Sequence, residues 1–134
     1  MDPRISKFSD AIEKAEGYGV PGALPTRINN PGDLCLGDKG WGVTEGKTNF
    51  PSYEIGRAAL DRESALICTG TSHVYRLSDT IMQVALKYTG GDNALAWATT
   101  VSGHLGVMTT TTIYDYMNLP SGGDLDAASN PGTC

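Results

Sequence analysis

The sequence predicts a mainly α-helical domain, α+β in type, carrying one small irregular or β-hairpin lobe. Three observations predict it. Apolar residues recur at helical spacing in five separate segments. A glycine-rich stretch over 20–50, with three prolines, interrupts that pattern early in the chain. The composition, 40% hydrophobic and 19% charged, suits a globular chain of 134 residues that can bury a sizeable core.

The first helix is marked by Ile5, Phe8, Ala11, Ile12 and Ala15, which form one apolar stripe. Lys7, Asp10 and Lys14 face water, and Gly17 stops the helix. The turn dipeptides Pro31-Gly32, Gly37-Asp38 and Glu45-Gly46 then predict loops, with at most a short hairpin around 40–50. Ser52 caps a helix running to about Thr69, with Glu54 in its first turn and Gly70 closing it. Ser78 begins another, in which Ile81, Val84, Ala85 and Tyr88 share a face and Gly90-Gly91 ends the run. Asn93 caps the next, with Ala94, Trp97, Ala98 and Val101 inward and Gly103 at its end. A short helix from about Thr111 to Met117 follows the hydroxyl-rich run Thr109–Thr112. Residues 1–119 are expected to form a single domain, and 120–134 a polar, loosely held C-terminal tail.

The formal net charge of −5 argues against non-specific binding to nucleic acid or anionic membrane. No apolar run approaches the roughly 18 residues needed to span a bilayer, and the first residues, Met1-Asp2-Pro3-Arg4-Ile5, carry no apolar signal core. Cys35, Cys68 and Cys134 lack C-x-x-C spacing and suit no zinc site. Cys68, inside an apolar helical run, is expected to be a buried thiol, which leaves Cys35 and Cys134 as the first pair to test for a disulfide. Three cysteines also suit a reducing compartment. His73 and His104 are too isolated for a metal site or a triad, and no phosphate-cradling glycine motif is present.

Glu16 is the leading candidate for chemistry. It lies one turn after Ile12, on the border of the apolar stripe and at the end of its helix. The negative end of the helix dipole and partial burial both disfavour an ionised carboxylate there. A carboxyl kept protonated near neutral pH is what a general acid requires. The glycine-rich lobe that follows, laid against a helical bundle, makes a groove with Glu16 at its floor, and long grooves suit polymers.

Glu16-Gly17-Tyr18, followed by Arg27-Ile28-Asn29-Asn30-Pro31-Gly32-Asp33-Leu34, resembles a lysozyme-superfamily group related to lytic transglycosylases, often phage or bacterial. Phe50-Pro51-Ser52, Val74-Tyr75-Arg76, Tyr88-Thr89-Gly90-Gly91-Asp92-Asn93 and Leu105-Gly106-Val107 continue the likeness in order. Together they span about residue 11 to 107, roughly three quarters of the chain. The departures are Arg57, where the pattern usually has Trp, and Thr89-Gly90 after Tyr88, where it has Ala-Pro; Asp33 stands where Asn or Asp is usual. The resemblance implies a lysozyme-like fold that cleaves the MurNAc–GlcNAc β-1,4 bond of peptidoglycan, with Glu16 as the acid. It implies glycan strands as the partner and action at the cell wall, whether periplasmic, secreted or virion-associated. The protein is expected to work as a monomer without metal or cofactor.

Other residues carry two readings each. Asn29 and Asn30 either hydrogen-bond substrate amide and hydroxyl groups or form the turn before Pro31-Gly32. Tyr88 packs in the core or presents its hydroxyl near Glu16, and Tyr18 shapes the groove or packs as an ordinary aromatic. Asp92 and Asn93 are a turn and an N-cap, or substrate contacts. Asp33, Asp38 and Glu45 are the carboxylates placed to act second, Asp33 and Glu45 being the first to test; otherwise they are solvated loop charges. With one convincing carboxyl, a lytic transglycosylase reaction is the expectation; a second would make the protein a hydrolytic lysozyme. The same fold could also serve a non-catalytic glycan-binding or virion structural protein.

Overall fold

The computed structural model describes residues 1–119, so the expected tail over 120–134 and any pairing of Cys134 lie outside the described residues. Half of the described residues are helical and their sheet is a single two-stranded hairpin, so the fold is mainly α as expected.

Helix α1 spans Pro3–Ala15. Asp2 caps it by accepting from the Arg4 amide at 2.8 Å, and Pro3 supplies a fixed φ at its first turn. Its stripe is buried as expected through Ile5, Phe8, Ala11 and Ile12, with Ser9 among them. A buried hydroxyl needs a partner, and Ser9 finds one in the Ser64 hydroxyl at 2.7 Å. Helix α2, Leu24–Arg27, is a single turn that the glycine and proline signals around it concealed.

Strands β1, Val43–Thr44, and β2, Lys47–Thr48, pair antiparallel around Glu45-Gly46. Glu45 and Gly46 have φ of 50° and 81°, the positive values that a two-residue hairpin turn matching strand twist requires. This is the hairpin expected over 40–50.

Helix α3, Tyr53–Thr69, begins at the Ser52 cap and ends at left-handed Gly70, as expected. Helix α4 runs Ile81–Thr89 and starts three residues after Ser78, where it was expected to begin. Thr80 and Gln83 satisfy one another's backbone amides in a capping box, so the cap falls to Thr80. Helix α5, Ala94–Leu105, runs through Gly103 and stops at left-handed Gly106. A helix-interior glycine costs about 1 kcal/mol, and the Trp97–Val101–Leu105 packing outweighs it. Helix α6, Ile113–Met117, starts two residues later than expected and is capped by Thr112, whose hydroxyl accepts from the Asp115 amide at 3.1 Å.

Helix α1 packs against α3 and α5, and α5 against α4. Phe8, Ile12, Leu60, Ile81, Val84 and Val101 meet in one core and are fully shielded from solvent. Burying each such side chain contributes about 1.5–3 kcal/mol. Cys68 is buried as expected, which pushes its thiol up to about 12, and Cys35 is exposed.

The lobe is braced internally by Asn30 and seated on the bundle at Gly56 and Tyr88. Asn30 is fully buried, donates through Nδ2 to the carbonyls of Leu34 and Thr48 at 2.9 Å each, and accepts from the Leu34 amide at 2.8 Å. Gly56 on α3 lies so close to the lobe that a Cβ there would stand 1.9 Å from the Asn29 carbonyl oxygen. The Tyr88 hydroxyl donates to the Gly32 carbonyl at 2.6 Å and joins α4 to the same loop.

Candidate active site

Glu16 is the C-cap of α1, and its amide donates to the Ile12 carbonyl at 2.9 Å. With Phe8 and Ile12 locked in the core, the helix end and the carboxyl have a defined position. That carboxyl lines a cavity of about 380 Å³. The lobe contributes Asp33 and Lys47, helix α4 contributes Tyr88, and the α4–α5 turn with the start of α5 contributes Asp92, Asn93 and Trp97. Elements distant in sequence therefore converge on Glu16.

The Trp97 indole N–H donates to Glu16 Oε2 at 2.9 Å. Indole is a donor only, so Oε2 is held as an acceptor and Oε1 is the oxygen left to carry a proton. Burial pushes the Glu16 carboxyl up to about 7. The Trp97 hydrogen bond opposes that shift, nearby Asp33 reinforces it and Lys47 counters it. At neutral pH a large share of Glu16 is therefore neutral, and it gains or loses its proton near the working pH of an acid–base group.

Asp33 sits in the left-handed region with φ of 52°, and its Oδ2 pairs with Lys47 Nζ at 3.1 Å. Its Oδ1 is buried and accepts no hydrogen bond from the described residues. Asp33 is the second carboxylate that lines the Glu16 cavity from the lobe. Glu45 does not reach it: the hairpin turn holds Glu45 in solvent, 3.8 Å from Arg27 in an exposed pair. Asp38 is spent on its own loop, accepting from the amides of Gly40 and Gly42 at 2.8 and 2.9 Å. Those amides hold its carboxyl below its ordinary value.

Tyr88 reaches the cavity through its ring, which lies 5.0 Å from the Trp97 ring. Its hydroxyl is engaged by Gly32, while burial and the neighbouring Glu16 hold the phenol well above its ordinary range, so it stays protonated. The ring thus packs against the core as one reading expected, while the hydroxyl is committed to the lobe backbone. Asp92 and Asn93 line the cavity as the substrate reading requires. Asn93 occupies the N-cap position of α5 at φ of 58°, but its side chain makes no capping hydrogen bond.

Three predicted contacts are absent from the cavity wall. Asn30 spends its amide inside the lobe, so the turn reading holds for it. Asn29, left-handed at φ of 56°, donates to the Phe50 carbonyl at 3.2 Å and likewise anchors the lobe. Tyr18 packs on Tyr53 with ring centroids 5.0 Å apart. Arg57, which replaces the tryptophan of the resembled pattern, bridges α3 to α1 through Asp10 at 2.7 Å and Glu13 at 3.1 Å.

Trp97 and Lys47 are the site residues that sequence reasoning missed. Trp97 was placed inward as core, and its signal was the indole N–H, which needs an acceptor once buried. Nothing local marks Lys47; only the hairpin register aims it at Asp33. No described helix is long and apolar enough to cross a membrane. No protein-family model, curated protein or solved structure matches the chain.

Proposed function

We propose that this protein is a lysozyme-like peptidoglycan-cleaving enzyme that acts on the MurNAc–GlcNAc β-1,4 bond. The observation that carries the reading is Glu16: a half-buried carboxyl at the floor of a polar cavity, poised near pH 7 and oriented by Trp97. In the first step Glu16 Oε1 donates its proton to the glycosidic oxygen as the C–O bond breaks. The 2-acetamido group of MurNAc supports the developing cation. Glu16, now a carboxylate, takes the proton of the MurNAc 6-hydroxyl as that oxygen closes on C1, which yields a 1,6-anhydro ring and restores the acid. This lytic transglycosylase route uses one carboxyl and consumes no water.

Asp33 supports a second route. Asp33 lines the same cavity, and its carboxylate acting as base on a water there would give hydrolysis, the lysozyme outcome. Mass spectrometry of digested peptidoglycan separates the two, since anhydro-muropeptides are lighter by one water than hydrolytic products. The reading itself is tested by clearing of a cell-wall suspension. Wild type should clear it and Glu16→Gln should not. Equal clearing by both would remove Glu16 from the chemistry, and none by either would leave a glycan-binding or virion structural role.

A further inference from the structure

The Glu16 cavity does not end at the lobe. Asp33, Lys47 and Tyr88 are shared with a neighbouring depression of about 220 Å³, which shares Leu36 and Glu63 in turn with a third hollow. That third hollow measures about 690 Å³ and lies between the lobe and the outer face of α3. Shared lining residues thus set the three hollows in a row from Glu16 to the far side of the hairpin, and the two ends differ in chemistry. Around Glu16 the walls are carboxylates, amides, hydroxyls and one lysine, the donors and acceptors that sugar hydroxyls need. At the far end they are Trp41, Phe50, Ile55 and Leu66, with Lys39 and Arg62 among them.

The far end is built on the surface. Trp41, Ile55 and Leu66 are 45%, 44% and 37% exposed, unusual for large apolar side chains that share one wall. The Asp38 turn and the Asn49 amide, which donates to the Trp41 carbonyl at 3.1 Å, fix the loop that presents Trp41. Lys39 and Arg62 make no ion pair among the described residues, although the chain as a whole is acidic. Glu63, between the two hollows, is the carboxylate of this wall, and burial raises it above its ordinary value.

From this contrast we infer that the distal groove receives the acidic, alanine-containing stem peptide carried by peptidoglycan, while the glycan lies at Glu16. Its methyl groups match the apolar wall, and its carboxylates match Lys39 and Arg62. The row of hollows, linked by the shared Asp33, Lys47, Tyr88, Leu36 and Glu63, gives one substrate molecule a path to both ends. The inference rests on the proposed peptidoglycan reading and adds to it a part of the substrate that a polysaccharide without peptides lacks.

Two measurements test it. In the first, kcat/KM is compared on intact peptidoglycan strands and on strands stripped of stems by an amidase, for wild type and the double variant Lys39→Ala/Arg62→Ala. Wild type should favour stem-bearing strands, and the variant should reduce that preference about three- to tenfold, the range for two partly exposed ion pairs. An unchanged preference would overturn the inference, as would no preference in wild type. The second is calorimetric titration of Glu16→Gln with the stem tetrapeptide released by the amidase, repeated in the Lys39→Ala/Arg62→Ala background. Binding that weakens in that background supports the groove even if neither strand is cleaved, in which case only the catalytic reading falls. Cleavage of both strands without peptide binding retires the groove and leaves the catalytic reading standing.

Discussion

At Glu16 two opposed effects set the proton affinity, and each can be altered separately. Burial raises it, and the Trp97 N–H lowers it by stabilising the carboxylate. Replacing Trp97 by Phe keeps an aromatic ring beside Tyr88 and removes the donor. The Glu16 pKa should then move above about 7, and the basic limb of the pH–activity profile should move up with it. Loss of one hydrogen bond to a charged group is worth about 1.5–3 kcal/mol, or one to two pH units at most. A basic limb that stays in place or moves down would show that the hydrogen bond does not govern the acid. Asp33→Asn probes the opposite neighbour: it removes a charge that raises Glu16, so the same limb should move to lower pH. Its products discriminate further, because a transglycosylase would still release anhydro ends.

At the scale of elements, the site depends on how the lobe is seated on α3. A methyl at Gly56 would stand 1.9 Å from the Asn29 carbonyl, and backbone cannot yield as a side-chain tip can. Gly56→Ala should therefore destabilise the fold by about 2 kcal/mol or more and shift Asp33 and Lys47 away from Glu16, so activity should fall further than stability. Urea denaturation beside a clearing assay reads both. Asn30→Ala removes the partner of the Leu34 amide and a donor from each of the Leu34 and Thr48 carbonyls, and should cost about 2–4 kcal/mol. These contacts explain what the sequence conveyed and what it did not. The helices were visible because apolar spacing and caps such as Ser52 and Gly70 are local signals, as was the Glu45-Gly46 hairpin. Asn30 beside Pro31-Gly32 was visible as a polar turn, but whether its amide faces a groove or the lobe interior is decided by Leu34 and Thr48. Thr48 is 18 residues away. Trp97 meets Glu16 across 81 residues, a pairing that only packing of α1 on α5 creates. The start of α4 and the end of α5 shifted because Thr80–Gln83 and Gly106 offered better caps than Ser78 and Gly103.

For the molecule as a whole, a raised carboxyl would couple the proposed catalysis to stability with a definite sign. Glu16 titrates near 7 in the folded protein and near its ordinary 4.5 when unfolded. Below 4.5 both states are protonated and the neutral acid's contribution to the fold is fully present. As pH rises from there the unfolded chain releases its proton first, so stability declines and the loss is complete once pH has passed through the folded value. A shift of that size corresponds to roughly 3 kcal/mol, a large fraction of a domain's 5–15 kcal/mol. Asp79 acts in the other direction. Its burial disfavours charge, but the Lys87 hydrogen bond at 2.6 Å and the Arg76 amide outweigh that and hold it below its ordinary value. Its contribution is present above the ordinary carboxyl range and is lost as pH falls through the depressed folded value. Wild type should thus be most stable in the mildly acidic interval between these two transitions. Glu16→Gln has no proton to lose and should lack the decline towards neutral pH while keeping the acid limb. Urea midpoints at pH 4, 6 and 8 make the comparison: the two proteins should agree within error at pH 4 and diverge by pH 8, with the Gln variant the more stable and inactive. Parallel profiles would mean that Glu16 is no more costly to ionise in the fold than in water, and the burial that equips it as an acid would not be there.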